Sequence, residues 1–181
     1  MNSDISAVLF DERELKKRIC ELGTELSKAY FDKNPVLICI LKGSVVFLSD
    51  LMRHITVPIE IDFIRISSYD ASTKSSGVIT LKMDVKTNIE NRHVVIVEDI
   101  IDTGLSIVFL REHLSSFKPE SIVVCALLDK PEAHLVDIDI EFKGFEIGNE
   151  FVVGYGLDFD EKYRNLPFIG ILKKEVYIEP Q

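Results

Sequence analysis

The chain has 181 residues, 46% of them hydrophobic, enough for one domain with a substantial buried core. Its formal net charge of −9 leaves no overall positive field to hold a polyanion such as nucleic acid, so any phosphate must be held locally. The three cysteines, Cys20, Cys39 and Cys125, lie far apart with no CxxC pair, which argues against a disulfide framework or a zinc site and for reduced core residues.

The opening Met1-Asn2-Ser3-Asp4 lacks the basic start and apolar stretch of a secretory signal, so a cytoplasmic location is expected. From Asp11 to Phe31, Leu15, Ile19, Leu22 and Leu26 recur at helical spacing, and Asp11 with Glu14 forms a capping-box pattern. Val36 to Leu41 is a continuous apolar run, followed by Lys42-Gly43 and a helical pattern through Val46, Leu48, Leu51 and Met52. Ile59 to Ile66 is a second strand ending at Ser67-Ser68-Tyr69, and Asp70 to Gly77 is a small, polar loop before a possible returning strand, Val78 to Met83.

Val94 to Val97 is a third strand and runs into Glu98-Asp99-Ile100-Ile101-Asp102-Thr103-Gly104, after which a helix passes through Val108, Leu110 and Leu114. Pro119 precedes another apolar strand, Ile122 to Leu128. These runs are far shorter than the roughly 18 residues of a membrane span. Shorter pieces follow at Ile138 to Phe142, Phe151 to Tyr155 and Phe168 to Leu172. Strands apolar on both faces and alternating with helices imply an α/β fold with a mostly parallel sheet.

The segment from Val94 to Ser106, VVIVEDIIDTGLS, concentrates the chemistry. A strand ending in two carboxylates and turning through Thr-Gly into a helix puts acceptors and free backbone N–H groups at one sheet edge, where α/β proteins bind ligands. Glu98 and Asp99 suit a sugar's vicinal hydroxyls or a hydrated magnesium ion; the lesser alternative is that they merely end a strand and cap the next helix. Neither the P-loop pattern nor GxGxxG occurs in the segment.

An apolar run, two acids, a short spacer and a Thr-Gly turn resemble the 5-phosphoribosyl-1-pyrophosphate motif of the phosphoribosyltransferase family. Lys42-Gly43, Ser68-Tyr69, Leu127-Leu128-Asp129-Lys130, Phe151-Val-Val-Gly-Tyr-Gly-Leu-Asp158 and Tyr163-Arg164 extend the resemblance to its hypoxanthine(-guanine) branch, over roughly Val36 to Leu172. The resemblance implies a type I phosphoribosyltransferase fold, a twisted sheet flanked by helices. It would form one domain over residues 1–181, with a small hood chiefly from about 130–181 together with the N-terminal segment.

It also implies roles. Glu98 and Asp99 would contact the ribose hydroxyls, and Asp102 would handle a proton at the purine N7, unless it is a helix cap. The loop Asp102, Thr103, Gly104, Leu105 and Ser106 would hold the 5′-phosphate. Leu105 stands where relatives often carry a polar or basic residue. Lys42, Gly43 and Arg164 would hold pyrophosphate, with the peptide between Lys42 and Gly43 able to be cis.

Lys130 would donate to the 6-oxo group, Phe151 would stack on the purine, and the backbone of Val152 would bond its edge; the plainer readings are a surface lysine and a core phenylalanine. Glu98, Asp99 and Asp158 would hold Mg²⁺, and Ser68 and Tyr69 would open a mobile lid. The substrates implied are a 6-oxopurine and 5-phosphoribosyl-1-pyrophosphate, with no nucleic acid or membrane partner, in a homodimer or homotetramer. Some proteins of this fold are nucleotide-responsive regulators that bind RNA or DNA; the −9 charge and the absence of a basic stripe argue for the enzyme. No chemistry is assigned to the four histidines.

Overall fold

The computed structural model describes residues 2–68 and 79–178. A first strand, β1 (Ile5–Phe10), leads into helix α1 (Glu12–Ala29). The capping box forms as expected: Asp11 Oδ1 accepts the Glu14 N–H at 2.8 Å and Glu14 Oε2 accepts the Asp11 N–H at 2.9 Å. There follow β2 (Val36–Ile40), α2 (Val45–Leu51), β3 (Glu60–Ser68) and β4 (Ile79–Met83). The second half contains β5 (His93–Ile101), α3 (Leu105–Ser115), β6 (Ser121–Asp129), β7 (Phe142–Glu146), β8 (Val152–Val153), β9 (Ile169–Leu172) and α4 (Lys174–Tyr177).

Six strands make the main sheet in the order β4-β3-β2-β5-β6-β7. Every neighbouring pair is parallel except β3 and β4. Alternate side chains on the central strands serve two cores, one on each face of the sheet. Leu37, Cys39, Val95 and Val97 pack with Leu15, Ile19, Leu22 and Leu26 of α1 and Phe47, Leu48 and Leu51 of α2. Val36, Ile38, Val94 and Ile96 pack with Ile107, Leu110 and Leu114 of α3. This two-sided burial is why those strands read as unbroken apolar runs.

β1, β9 and β8 form a second, antiparallel sheet, in which chain segments from opposite ends of the sequence meet. The N-terminal strand was not anticipated, because its partner lies about 160 residues away and its own burial is mixed. Among the described residues no helix is long and apolar enough to cross a membrane.

Several sequence-based expectations need correcting. The third strand does not stop at Val97: its pairing with β6 continues to Ile101 opposite Asp129, so the acid pair lies within the strand. The strand expected over Ile138 to Phe142 begins only at Phe142. Ahead of it, the Glu141 carboxylate accepts the Val124 N–H at 2.7 Å, taking the place of a main-chain partner, while Ile138 and Ile140 pack against the α3 core. Cys39 and Cys125 are buried, but Cys20 is exposed. The lid expected at Ser68 and Tyr69, with its polar loop, lies outside the described residues apart from the Ser68 main chain.

The reciprocal capping bonds at Asp11 satisfy two otherwise orphaned donors. Asp11→Ala should lower stability by about 1 kcal/mol, and the melting temperature by roughly 2–4 °C. Thermal unfolding by circular dichroism checks this, and an unchanged midpoint would show that water replaces the cap.

Candidate functional site

Because β2, β5 and β6 are parallel, their C-terminal ends share one edge, and the residues that follow each strand face a common cleft. A cavity of about 360 Å³ opens there, lined by Lys42 and Gly43 after β2, by Glu98, Asp99 and Asp102 from β5 and its turn, by Lys130 after β6, and by Phe151, Val152, Asp158 and Arg164. The structure therefore brings together the residues that the sequence assigned to ribose, purine and pyrophosphate contacts. Thr103, Gly104, Leu105 and Ser106 continue from Asp102 into α3 without lining that cavity. Gly104, at φ 81°, is the N-cap of α3, and no side chain caps this helix. The Leu105 N–H makes only a long bond, 3.5 Å, to Thr103 Oγ1, and the Ile107 N–H donates to the Gly104 carbonyl at 3.1 Å, so an anion at this end of α3 would meet weakly engaged backbone donors.

The approach of three chain segments sets the geometry. A Cβ on Gly43 would stand 1.7 Å from Asp99 Oδ2, and one on Gly156 would stand 2.2 Å from the Gly43 carbonyl oxygen. Gly156 also has φ +103°. Only glycines let the β2 loop, the β5 acid and the segment after β8 meet this closely. The cis peptide lies between Leu41 and Lys42, one bond before the Lys42-Gly43 link that the family resemblance allows to be cis.

Burial governs the acid pair. Desolvation, and then the neighbouring charge of Asp99, push the Glu98 carboxyl well above the ordinary carboxylate range. Asp99 is pushed up to about 6, chiefly by burial, with the Ile100 N–H at 2.9 Å opposing the shift. Ser44 Oγ lies 2.6 Å from the Ile40 carbonyl and 2.9 Å from Glu98 Oε2. One hydroxyl hydrogen thus faces two acceptors, and a proton on Glu98 completes the set.

Two basic groups on the cavity wall, Lys42 and Arg164, are paired with acids. Arg164 Nη1 donates to the Gly156 carbonyl at 2.8 Å, while Nη2 lies 2.8 Å from Asp158 Oδ1 and 3.5 Å from Glu161 Oε2. Lys42 Nζ lies 2.9 Å from Glu161 Oε1. Glu161 was not anticipated from the sequence; its spacing of three from both Asp158 and Arg164 was the available signal. Lys130 is only 9% exposed, and its N–H donates to the Ile101 carbonyl at 2.9 Å. Next to it, Asp129 is 1% exposed, with His134 Nε2 at 2.7 Å and Lys143 Nζ at 2.7 Å, so one histidine does anchor the strand end that carries Lys130.

Among the described residues no group of three or more His, Cys, Asp and Glu side chains is placed to hold a metal ion by itself. The acids on the cavity wall nevertheless offer only oxygen donors, two of them forced together in a buried place. Such a donor set suits a hard cation that keeps several waters and takes its remaining ligands from substrate oxygens.

Residues 7–160 match the family profile of the phosphoribosyl transferase domain. The chain belongs to the phosphoribosyltransferase family. It is 49% identical over 177 residues, 98% of each chain, to hypoxanthine-guanine phosphoribosyltransferase of Streptococcus pneumoniae. Among solved structures it resembles a hypoxanthine phosphoribosyltransferase from Staphylococcus aureus, with a TM-score of 0.94, 44% identity and coverage of 98% of this chain and 97% of the other. A hypoxanthine-guanine phosphoribosyltransferase from Bacillus anthracis, solved with HEPES in its active site, gives a TM-score of 0.89 at 44% identity, covering 93% of this chain and 99% of that one. The close structural match to these phosphoribosyltransferases extends over nearly the whole chain.

The raised Asp99 carboxyl makes a stability prediction for the metal-free protein. Its folded value near 6 exceeds the unfolded value of about 3.9, so its contribution to stability is complete below about pH 4 and is lost as pH rises through 6. Asp99→Asn, which keeps an acceptor for the Ile100 N–H, should therefore be more stable than the parent at pH 8, by up to about 3 kcal/mol, with the difference vanishing near pH 4. Melting curves across this range in chelator test it; a variant less stable than the parent at pH 8 would refute the burial cost.

Proposed function

We propose that this chain joins a 6-oxopurine, hypoxanthine and also guanine, to 5-phosphoribosyl-1-pyrophosphate, giving IMP or GMP and pyrophosphate, as in purine salvage. The observation that carries the reading is the convergence on one cavity of the acid pair, Asp102, Lys130, Phe151 and the cations Lys42 and Arg164. Family membership and the names of the relatives support it.

In this reading Glu98 and Asp99 accept from the ribose hydroxyls. The 5′-phosphate rests on the turn from Asp102 through Thr103, Gly104, Leu105 and Ser106, where backbone N–H groups do most of the holding. Lys42, Gly43 and Arg164 take the pyrophosphate, for which the planar fork of Arg164 suits two oxygens at once. Phe151 stacks on the base, Val152 bonds its edge through the main chain, and Lys130 donates to the 6-oxo group. The N9 lone pair forms the bond to the anomeric carbon as the bond to pyrophosphate breaks, and the proton on N7 passes to the Asp102 carboxylate. Glu98, Asp99 and Asp158 are the residues that would hold Mg²⁺, whose charge would offset that of the departing pyrophosphate. Positioning of two substrates and stabilisation of separating charge make up most of the catalysis.

The small sheet of β1, β9 and β8 serves as the hood of a single domain. A cytoplasmic homodimer or homotetramer without nucleic-acid or membrane partners completes the proposal, and light scattering checks its size.

Assays with hypoxanthine, guanine, xanthine, adenine and uracil, each with 5-phosphoribosyl-1-pyrophosphate and magnesium, test the function directly. Turnover of hypoxanthine and guanine is expected, with none in excess chelator; preference for adenine or uracil would overturn the base assignment. Asp102→Asn should lower kcat by about 10²–10⁴-fold while leaving affinity for 5-phosphoribosyl-1-pyrophosphate within a few-fold. A parent-like rate would reduce Asp102 to a helix cap. Lys130→Met should weaken hypoxanthine use by about 1.5–3 kcal/mol, roughly ten- to over a hundredfold, through loss of a charge-assisted bond. Equal losses with adenine would remove Lys130 from base selection.

A further inference from the structure

Phe151 has two surroundings. It lines the 360 Å³ cavity, and it also lines a separate surface pocket whose wall includes Tyr177. Tyr177 borders only the second. The two rings are stacked, with centroids 4.8 Å apart and planes 24° from parallel. Phe159 meets Phe151 edge-on, at 5.7 Å and 90°, and meets Tyr177 at 6.5 Å and 66°. The three rings form a closed set in which each constrains the others, with stacked and edge-to-face geometries that aromatic pairs favour.

The backbone ties this set to the hood. The Phe151 carbonyl accepts the Leu172 N–H at 2.8 Å, and the next residue, Lys173, donates its N–H to the Asp4 carbonyl at 2.9 Å. α4 begins at Lys174 and ends on Tyr177. One short connection therefore carries the chain from the strand that fixes the Phe151 main chain to the ring that supports its side chain.

We propose that Tyr177 is a positioning residue for the purine: it backs the Phe151 ring from the side away from the cavity and holds it in the plane that receives the base. The inference rests on the reading of Phe151 as the base-stacking ring. A phenylalanine side chain has few rotamers, but a partly exposed one at a cavity mouth rotates unless something bears on its outer face. The support comes from the ring of Tyr177, and its hydroxyl is dispensable.

Steady-state kinetics on Tyr177→Leu, Tyr177→Phe, Phe151→Leu and the Tyr177→Leu/Phe151→Leu double variant test the proposal. Tyr177→Leu should raise KM for hypoxanthine about three- to tenfold, the span expected for one lost aromatic pair, while kcat and KM for 5-phosphoribosyl-1-pyrophosphate stay within about twofold. Tyr177→Phe should behave as the parent, and the double variant should be no worse than Phe151→Leu alone. A raised hypoxanthine KM in Phe151→Leu with none in Tyr177→Leu would overturn the proposal while sparing the role of Phe151. An unchanged hypoxanthine KM in Phe151→Leu would instead overturn that role, and the proposal with it. Additive losses in the double variant, or equal rises in both substrates' KM with a lowered melting temperature, would make Tyr177 merely structural. If Tyr177→Leu does not fold, Tyr177→Met, which keeps bulk without a ring, carries the same expectation; failure of both to fold would also assign Tyr177 to stability and overturn the proposal.

Discussion

The structure depends on crowding two adjacent carboxyls, the partly buried Glu98 and the buried Asp99, at the cavity end of a central strand in a mostly parallel sheet. Burial of either is costly, and the charge of Asp99 adds to the cost of ionising Glu98, as that of Asp158 does for Asp99. The surrounding elements answer that cost. Ser44 is buried against Glu98, the Ile100 N–H turns onto Asp99, and Arg164 stands near enough for its charge to favour the ionised form of Asp99. Gly43 must lack a side chain because the Asp99 carboxylate occupies the space one would fill. A sheet edge that would otherwise be apolar is thereby made into a place where hydroxyls and cations are welcome.

The positions of these groups follow from local signals to different degrees. The capping box, the apolar core strands and the Thr-Gly turn are encoded within a few residues of each other, and they appear where the sequence puts them. The segment of alternating polarity from Ile138 shows how such a signal misleads. Its isoleucines cover a core, but the main-chain ladder starts later, because the side chain of Glu141 takes up the Val124 N–H. β1 was illegible for the opposite reason: only β9, at the far end of the chain, gives it a partner.

The cavity wall shows the same division. Lys42, Asp102 and Lys130 each lie within two residues of the end of a strand whose core the apolar pattern marks, so their convergence follows once the strands are parallel. The part played by Glu161 depends on a contact with Lys42 across 119 residues, and that of Asp129 on partners at His134 and Lys143. No spacing rule joins those pairs. The cis peptide at Leu41, beside the position suggested by the motif, belongs to the same class, because the tight fit of the β2 loop against Asp99 and Gly156 is a property of the folded molecule alone.

The pairing of Lys42 with Glu161, and of Arg164 with Asp158, makes the free protein its own counterion. A pyrophosphate bound as proposed would not find bare cations; it would exchange for carboxylates already seated there. Such an exchange forgoes part of the Coulomb attraction that naked cations would offer, and it lowers the cost of the reverse step, since a departing anion leaves no unpaired charge behind. Because Glu161 is largely exposed, the internal anion can swing aside into water without disturbing the core. On the proposed reading, the site would favour turnover over retention, with affinity for charge tempered by the chain itself.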